Sequence, residues 1–232
     1  LDEQAPKVAA VGRTFQDQAK TAFVFSGNGS QWGGMGLNAL NNSASFRRQF
    51  EIIDALYKTL AGVSLLDLLQ DPELETKLSD TRIAQPLLFA TQISLARSLT
   101  ETGLMPTVAY GHSIGEIAAA HFAGAISLVD AVRIVFLRSK YQHALAGKGG
   151  MAAVALAAED AVAMAADAGL ENIVGAAYNS PKSSTVSGPN DEIAAFRDVA
   201  RKQAIAVRVL DIDYPFHHPM IGSAHDQFVK DF

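Results

Sequence analysis

At 232 residues the chain is long enough to bury a substantial core, as one domain or two unequal ones. Hydrophobic residues make up 49% and charged residues 19%, which excludes a disordered chain; a net charge of -5 offers no attraction to nucleic acid or an anionic membrane. There is no cysteine, so disulfides, thiolate metal sites and a cysteine nucleophile are excluded, and the six histidines lack zinc-type spacing. No apolar run reaches the length of a membrane span and the N-terminus carries no signal-peptide pattern, so a cytoplasmic protein is the expectation.

Residues 1 to 20 are polar and Ala-rich without an apolar period, the pattern of a linker or the tail of an upstream domain. Thr21 to Phe25 is a compact β-type run that breaks into Ser26-Gly27-Asn28-Gly29-Ser30-Gln31-Trp32-Gly33-Gly34-Met35-Gly36. So many glycines after a buried strand predict a loop whose backbone approaches another part of the chain closely. A phosphate-binding loop is not supported, because no Gly-Lys-Ser/Thr follows. Phe46, Phe50, Ile53 and Tyr57 recur at helical spacing and predict a core-facing helix over residues 43 to 60. Pro72 and its polar neighbours predict a loop and a short helix. Gln85-Pro86 is predicted to open a helix through Leu99, with proline in the first turn where its missing N–H costs nothing. Gly103 and Pro106 end that helix, and a further helix is predicted from Ser127 to Ala144.

Beyond Gly147, Gly149 and Gly150 the texture changes. Strand patterns at Met151–Leu156, Ile173–Tyr178, Ser184–Ser187 and Ile205–Leu210 enclose helical patterns at Ala158–Ala168 and Asn190–Gln203. This is the β-α-β-β-α-β order of a ferredoxin-like unit, with Asn179 to Lys182 as the central turn and Asn190-Asp191 as a candidate helix cap. The chain then returns through Asp213-Tyr214-Pro215-Phe216-His217-His218-Pro219-Met220.

The most informative stretch is Val108-Ala109-Tyr110-Gly111-His112-Ser113-Ile114-Gly115-Glu116. Its Gly-x-Ser-x-Gly lies between a short apolar run and an Ala-rich helix former, the context of a nucleophile elbow. Such a turn lifts the serine oxygen clear of the backbone and leaves the Ile114 N–H at a helix N-terminus, where it favours developing negative charge. A serine needs a base. His112 adjoins Ser113 and points away from it on a sharp turn; His121 has the pattern of a packing residue; His143 and His225 have that of solvated helix positions. His217 and His218 lie in a loop bracketed by Pro215 and Pro219, a good place to fix an imidazole, and spacing alone leaves the choice between them open.

Taken together, Phe25 to Gln31, Gly111-His112-Ser113-Ile114-Gly115-Glu116, Arg138 and Tyr214-Pro215-Phe216-His217 resemble the acyltransferase domain of a type I polyketide synthase. Malonyl-CoA:acyl carrier protein transacylases are more distant relatives. The resemblance covers residues 20 to 232 and implies an α/β fold. An α/β-hydrolase-like large subdomain (residues 21 to 148, with a return at 212 to 232) carries a ferredoxin-like small one at 149 to 211. Family members continue for some tens of residues, so the C-terminal part of the domain is expected to lie outside this sequence.

The resemblance also implies roles. Ser113 matches the nucleophile, His217 the general base, and the backbone N–H groups of Asn28 and Ile114 the oxyanion hole. Asn28 stands where the family usually has glutamine, which leaves the backbone donor intact; His218 stands where it usually has a small residue. Arg138 matches the arginine that grips the free carboxylate of a malonyl unit, a task suited to the planar guanidinium fork. Gln85, His112, Phe216 and Tyr214 are expected around the substrate. The implied reaction is ping-pong acyl transfer from CoA through a serine ester to the phosphopantetheine thiol of an acyl carrier protein. It involves no metal or redox cofactor, and the expected neighbour is a ketosynthase domain of the same polypeptide.

Malonyl-selecting members tend to have His-Ala-Phe-His, and methylmalonyl ones Tyr-Ala-Ser-His, where this chain has Tyr214-Pro215-Phe216-His217. Phe216 fills the space serine would leave for a methyl group, and Ile114 stands where methylmalonyl enzymes more often have glutamine, so malonyl is expected. The competing reading is a serine hydrolase or thioesterase, whose acid would come from Asp160, Asp167, Asp191, Asp198 or Asp211, all in the right chain order.

Overall fold

The computed structural model describes residues 20–232; the stretch read as a linker or upstream tail lies outside them but for Lys20. Two regions are built on different plans. The first holds a parallel pair of strands, β1 (Ala22–Phe25) and β2 (Val108–Gly111), in register Ala22 to Val108 through Phe25 to Gly111. The same region holds α1 (Leu37–Asn42), α2 (Ala44–Ala61), α3 (Leu65–Leu69), α4 (Leu74–Lys77), α5 (Thr81–Glu101), α6 (Gly115–Phe122) and α7 (Leu128–His143), of which α6 packs against both strands, while Val24, Val108 and Tyr110 stay exposed. The apolar stripe of α2 is buried as its spacing predicts, with Phe46, Phe50, Ile53 and Tyr57 all at most 4% exposed. They pack with Leu87, Phe89 and Ile93 of α5 and Val132 and Val135 of α7 in one core that also contains Phe25 and Ile114. Burial of this apolar surface drives the fold of this region.

Helix α5 begins at Thr81, four residues before the predicted start, because Asp80 caps it by accepting from the Arg82 N–H at 2.8 Å. Pro86 therefore lies inside the helix rather than in its first turn, where it deprives the Arg82 carbonyl of its helical partner. The hydroxyl of Tyr57, reaching across from α2, donates to that carbonyl at 3.2 Å. Burial pushes the Tyr57 phenol up to about 12, so it remains a donor.

The second region contains β3 (Gly150–Val154), α8 (Ala158–Asp167), β4 (Val174–Ser180), β5 (Ser183–Gly188), α9 (Asn190–Lys202) and β6 (Val207–Val209). Its antiparallel sheet has the order β4-β5-β3-β6, which is the ferredoxin-like order, and α8 and α9 bury Ala161, Met164, Ala165, Ile193 and Phe196 against it. Pro189, not Asn190, occupies the cap position of α9; the Asn190 side chain instead donates to the Gly147 carbonyl at 3.0 Å and ties α9 to the entry of the unit. The chain then returns to the first region through residues 210 to 218, a 3-10 turn Pro219–Ala224, and α10 (His225–Asp231).

Candidate active site

The elbow is closed by the two glycines that the motif supplies. A Cβ on Gly111 would lie 2.2 Å from the Glu116 nitrogen, and one on Gly115 would lie 2.1 Å from the Phe25 carbonyl oxygen. Neither position admits a side chain. The end of β1 accepts the His112 N–H at the Phe25 oxygen at 3.0 Å, so the turn is anchored to the neighbouring strand. Ser113 itself adopts φ 54, a left-handed conformation that a non-glycine residue rarely takes and that a nucleophile elbow requires. The glycine-rich loop after β1 comes against this turn: a Cβ on Gly27 would lie 2.8 Å from His112 Cδ2. That is the close approach its glycines predict.

Two side chains converge on the Ser113 hydroxyl. His217 Nε2 lies 3.0 Å from Ser113 Oγ, and Arg138 Nη2 donates to the same oxygen at 3.0 Å. The hydroxyl can thus donate to the imidazole while accepting from the guanidinium. His218 does not share this role. It is 8% exposed, with Nε2 2.8 Å from the Asn172 carbonyl oxygen and Nδ1 accepting the Met220 N–H at 3.1 Å. His121 bonds the Ile126 carbonyl, and His225 is exposed. His143 is not the solvated group its spacing predicts: its Nδ1 lies 3.1 Å from the Tyr214 hydroxyl and 3.2 Å from Asp80 Oδ1.

Arg138 is held from behind. Its Nη1 donates to Gln85 Oε1 at 2.5 Å, and the fully buried Gln85 amide donates in turn to Thr81 Oγ1 at 2.6 Å and Gln142 Oε1 at 2.7 Å. Helices α5 and α7 supply this chain of contacts. Thr81 lies one turn before Gln85, and Gln142 one turn after Arg138, so helical spacing carries the signal for both. Burial pushes the Arg138 guanidinium down to about 10, partly offset by Glu116, and it stays a cation at neutral pH. His217 is held below the ordinary imidazole value by partial burial, then by the charges of Arg138 and His112, while Glu116 pulls the other way. The imidazole is therefore neutral, and able to take a proton, near pH 7.

A cavity of about 180 Å³ opens beside Ser113 and His217, lined in part by Asn28, His112 and Phe216 together with Met151, Asn179 and Thr185 of the small sheet unit. The last three went unread in the sequence, since strand residues facing a cavity have the same pattern as strand residues facing a core. Tyr214 does not line this cavity: its ring stacks on Phe216 at 5.0 Å and its hydroxyl accepts the Thr81 N–H. Asn28 Oδ1 is buried without a partner, and the backbone N–H groups of Asn28 and Ile114 donate to no group among the described residues. Arg138 lines a second, mostly apolar cavity of about 220 Å³ with Tyr141, Gln142, Ile221 and Phe228. Ser113 lines the first and accepts from Arg138, which lines the second. Asp160, Asp167, Asp191, Asp198 and Asp211 are all exposed, and none bonds His217, so no Ser-His-Asp triad forms among the described residues. No group of acidic and histidine side chains there could hold a metal ion, and no helix is long and apolar enough to cross a membrane.

Residues 22–232 match the model of the acyl transferase domain family. The chain belongs to that family. It is 37% identical over 219 residues to erythronolide synthase EryA2 of Saccharopolyspora erythraea, a match covering 94% of this chain and 6% of the synthase. With mycoketide-CoA synthase of Mycobacterium tuberculosis it shares 37% identity over 85% of its own length and 5% of that protein. Among solved structures, the acyltransferase domain from module 8 of the salinomycin polyketide synthase superposes with TM-score 0.85 at 34% identity, over 91% of this chain and 50% of that one. The fold extends to an MCAT from Streptococcus pneumoniae, with TM-score 0.78 and 28% identity over 91% of this chain and 69% of that one. The acyltransferase thus spans a small fraction of the synthases it resembles.

Proposed function

We propose that this acyltransferase moves a malonyl unit from CoA to the phosphopantetheine thiol of an acyl carrier protein, within a multidomain polyketide synthase that also holds a ketosynthase. The observation that carries the reading is the Ser113 hydroxyl held at 3.0 Å by both His217 and Arg138. Ser113 Oγ attacks the thioester carbonyl while its proton passes to His217 Nε2. The carbonyl oxygen becomes an oxyanion that takes the Asn28 and Ile114 N–H groups. The C–S bond then breaks, His217 returns the proton to the leaving CoA sulfur, and an ester remains on Ser113. The carrier thiol repeats the sequence, giving its proton to His217 as it attacks the ester, and Ser113 recovers its own hydrogen.

Arg138 turns its fork from Ser113 Oγ to the carboxylate of the bound acyl group, which Gln85 keeps within reach. Phe216 narrows the cavity beside the nucleophile, favouring malonyl over its α-methyl homologue. The reading is tested by incubating the protein with labelled malonyl-CoA and following the label. It should appear on the parent and not on Ser113→Ala, then move to added phosphopantetheinylated carrier protein. Rapid release of label to water alone, with none reaching the carrier, would replace this reading by a hydrolase.

A further inference from the structure

We infer that His218 is a positioning residue for His217, and that it hangs the base from the small sheet unit through the Asn172 carbonyl. The inference rests on the assignment of His217 as base. His217 adopts φ 59, the left-handed region that favours glycine, so its backbone does not rest there by preference. Conformations of this kind persist only where the surroundings over-determine them. On one side, Tyr214 and Phe216 are buried and stacked on each other. On the other, both ring nitrogens of His218 are engaged. Nδ1 accepts the Met220 N–H at 3.1 Å, so Nε2 carries the hydrogen that the Asn172 carbonyl accepts at 2.8 Å.

Asn172 is itself fixed. Its backbone N–H and side-chain amide both donate to the carboxylate of Glu192 on α9, at 2.9 and 2.5 Å. The end of β5 presses against the same carbonyl: a Cβ on Gly188 would lie 2.9 Å from the Asn172 oxygen. A line of contacts therefore runs from Glu192 through Asn172 and His218 to the peptide that carries His217. His217 Nδ1 has no hydrogen-bond partner among the described residues, so within them Ser113 is the one group that hydrogen-bonds the ring. A histidine after the base also does what a small residue cannot, since a serine side chain is too short to span to the Asn172 carbonyl while capping the next turn.

The two nitrogens can be tested separately. Asparagine at 218 keeps an acceptor for the Met220 N–H and loses the reach to Asn172; glutamine keeps a donor that reaches Asn172. Single-turnover acylation of Ser113 by malonyl-CoA is measured in H218N, H218Q, H217A and the double variant H217A/H218N. We expect H218N to acylate about 10- to 100-fold more slowly, as small misplacements of a reacting group do, with half-saturation by malonyl-CoA close to the parent's. H218Q should recover most of that rate. In the H217A background the H218N change should add no further loss, because His218 acts only through His217. Acylation by H218N at the parent's rate would overturn the inference, as would equal losses in H218N and H218Q, or an H218N loss as large in H217A as in the parent. Should H217A itself acylate at the parent's rate, His217 is not the base, and the inference falls with that assignment rather than through any result at 218.

Discussion

Ser113 and the imidazole of His217 are held by two regions built in opposite ways. Ser113 and Arg138, with Gln85 behind them, stand on strand-turn-helix and helix frames whose inner faces form the larger core. His217 stands on a loop, steadied by stacked aromatic rings and the ring of its neighbour. Buried regular structure fixes Ser113 to within the tolerance of close backbone contact. A loop can bring an imidazole from a distant part of the chain, but it must be tied at several points to hold a conformation it does not prefer. The small sheet unit supplies such ties and also lines the cavity, so it shapes the site without carrying Ser113.

The contrast is broken most severely at the elbow. Gly115→Ala puts a methyl group 2.1 Å from the Phe25 carbonyl oxygen, where only backbone lies and no side chain can yield. Acylation by malonyl-CoA should be lost although Ser113 is intact, with intact-mass spectrometry showing no adduct. An equivalent change on the cavity face of the sheet unit, Asn179→Ala, removes only an exposed side chain and its bond to Thr185, and should leave the adduct in place. Loss of both adducts would mean that the sheet unit is as intolerant as the elbow.

Arg138→Ala comes next. Loss of a charge-assisted pair worth roughly 1.5–3 kcal/mol should lower kcat/KM for malonyl-CoA about 10- to 100-fold. Acetyl-CoA presents no carboxylate, so its rate should hold or rise, and Arg138→Lys should restore malonyl turnover only in part because an ammonium lacks the fork. Equal falls for both substrates in folded protein would make Arg138 structural.

A smaller effect separates the two regions electrostatically. His217 is held below the usual imidazole value by its burial and by Arg138, so activity that needs the neutral ring persists to a lower pH than an ordinary histidine would permit. Activity is lost as pH falls through that lowered value. Glu116 acts in the raising direction. Glu116→Gln removes it, and the acid limb of the kcat/KM profile should move to still lower pH; a move to higher pH would give the limb to another group. The smallest effect is Tyr57→Phe, which leaves the Arg82 carbonyl beside Pro86 without its donor. It should cost about 1–2 kcal/mol, seen as a modest fall in thermal midpoint, with acylation kinetics unchanged.

Local patterns made much of this legible. The elbow is written in adjacent residues, and the six elements of the sheet unit in alternating runs whose order alone names their topology. What could not be read depends on partners remote in the chain. The start of α5 was displaced because Pro86 looks like a first-turn residue until Tyr57, from another helix, satisfies the carbonyl it orphans. His143 looked solvated because nothing nearby in sequence tells of Tyr214. Spacing alone leaves His217 and His218 undistinguished, since adjacent histidines differ only in what each ring meets across the fold: Ser113 for the one and the Asn172 carbonyl for the other.

That remoteness bears on how the molecule comes together. Ser113 and His217 are separated by 104 residues, and the Tyr214 hydroxyl bonds a backbone group 133 residues away. Contacts so distant in the chain must wait for long loops to close, which slows folding relative to the local helices between them. The helices of the first region and the hairpin of the second can form from neighbouring residues, whereas the serine acquires its imidazole only when both have taken shape. A half-made chain therefore carries Ser113 without the imidazole that the finished fold brings to it.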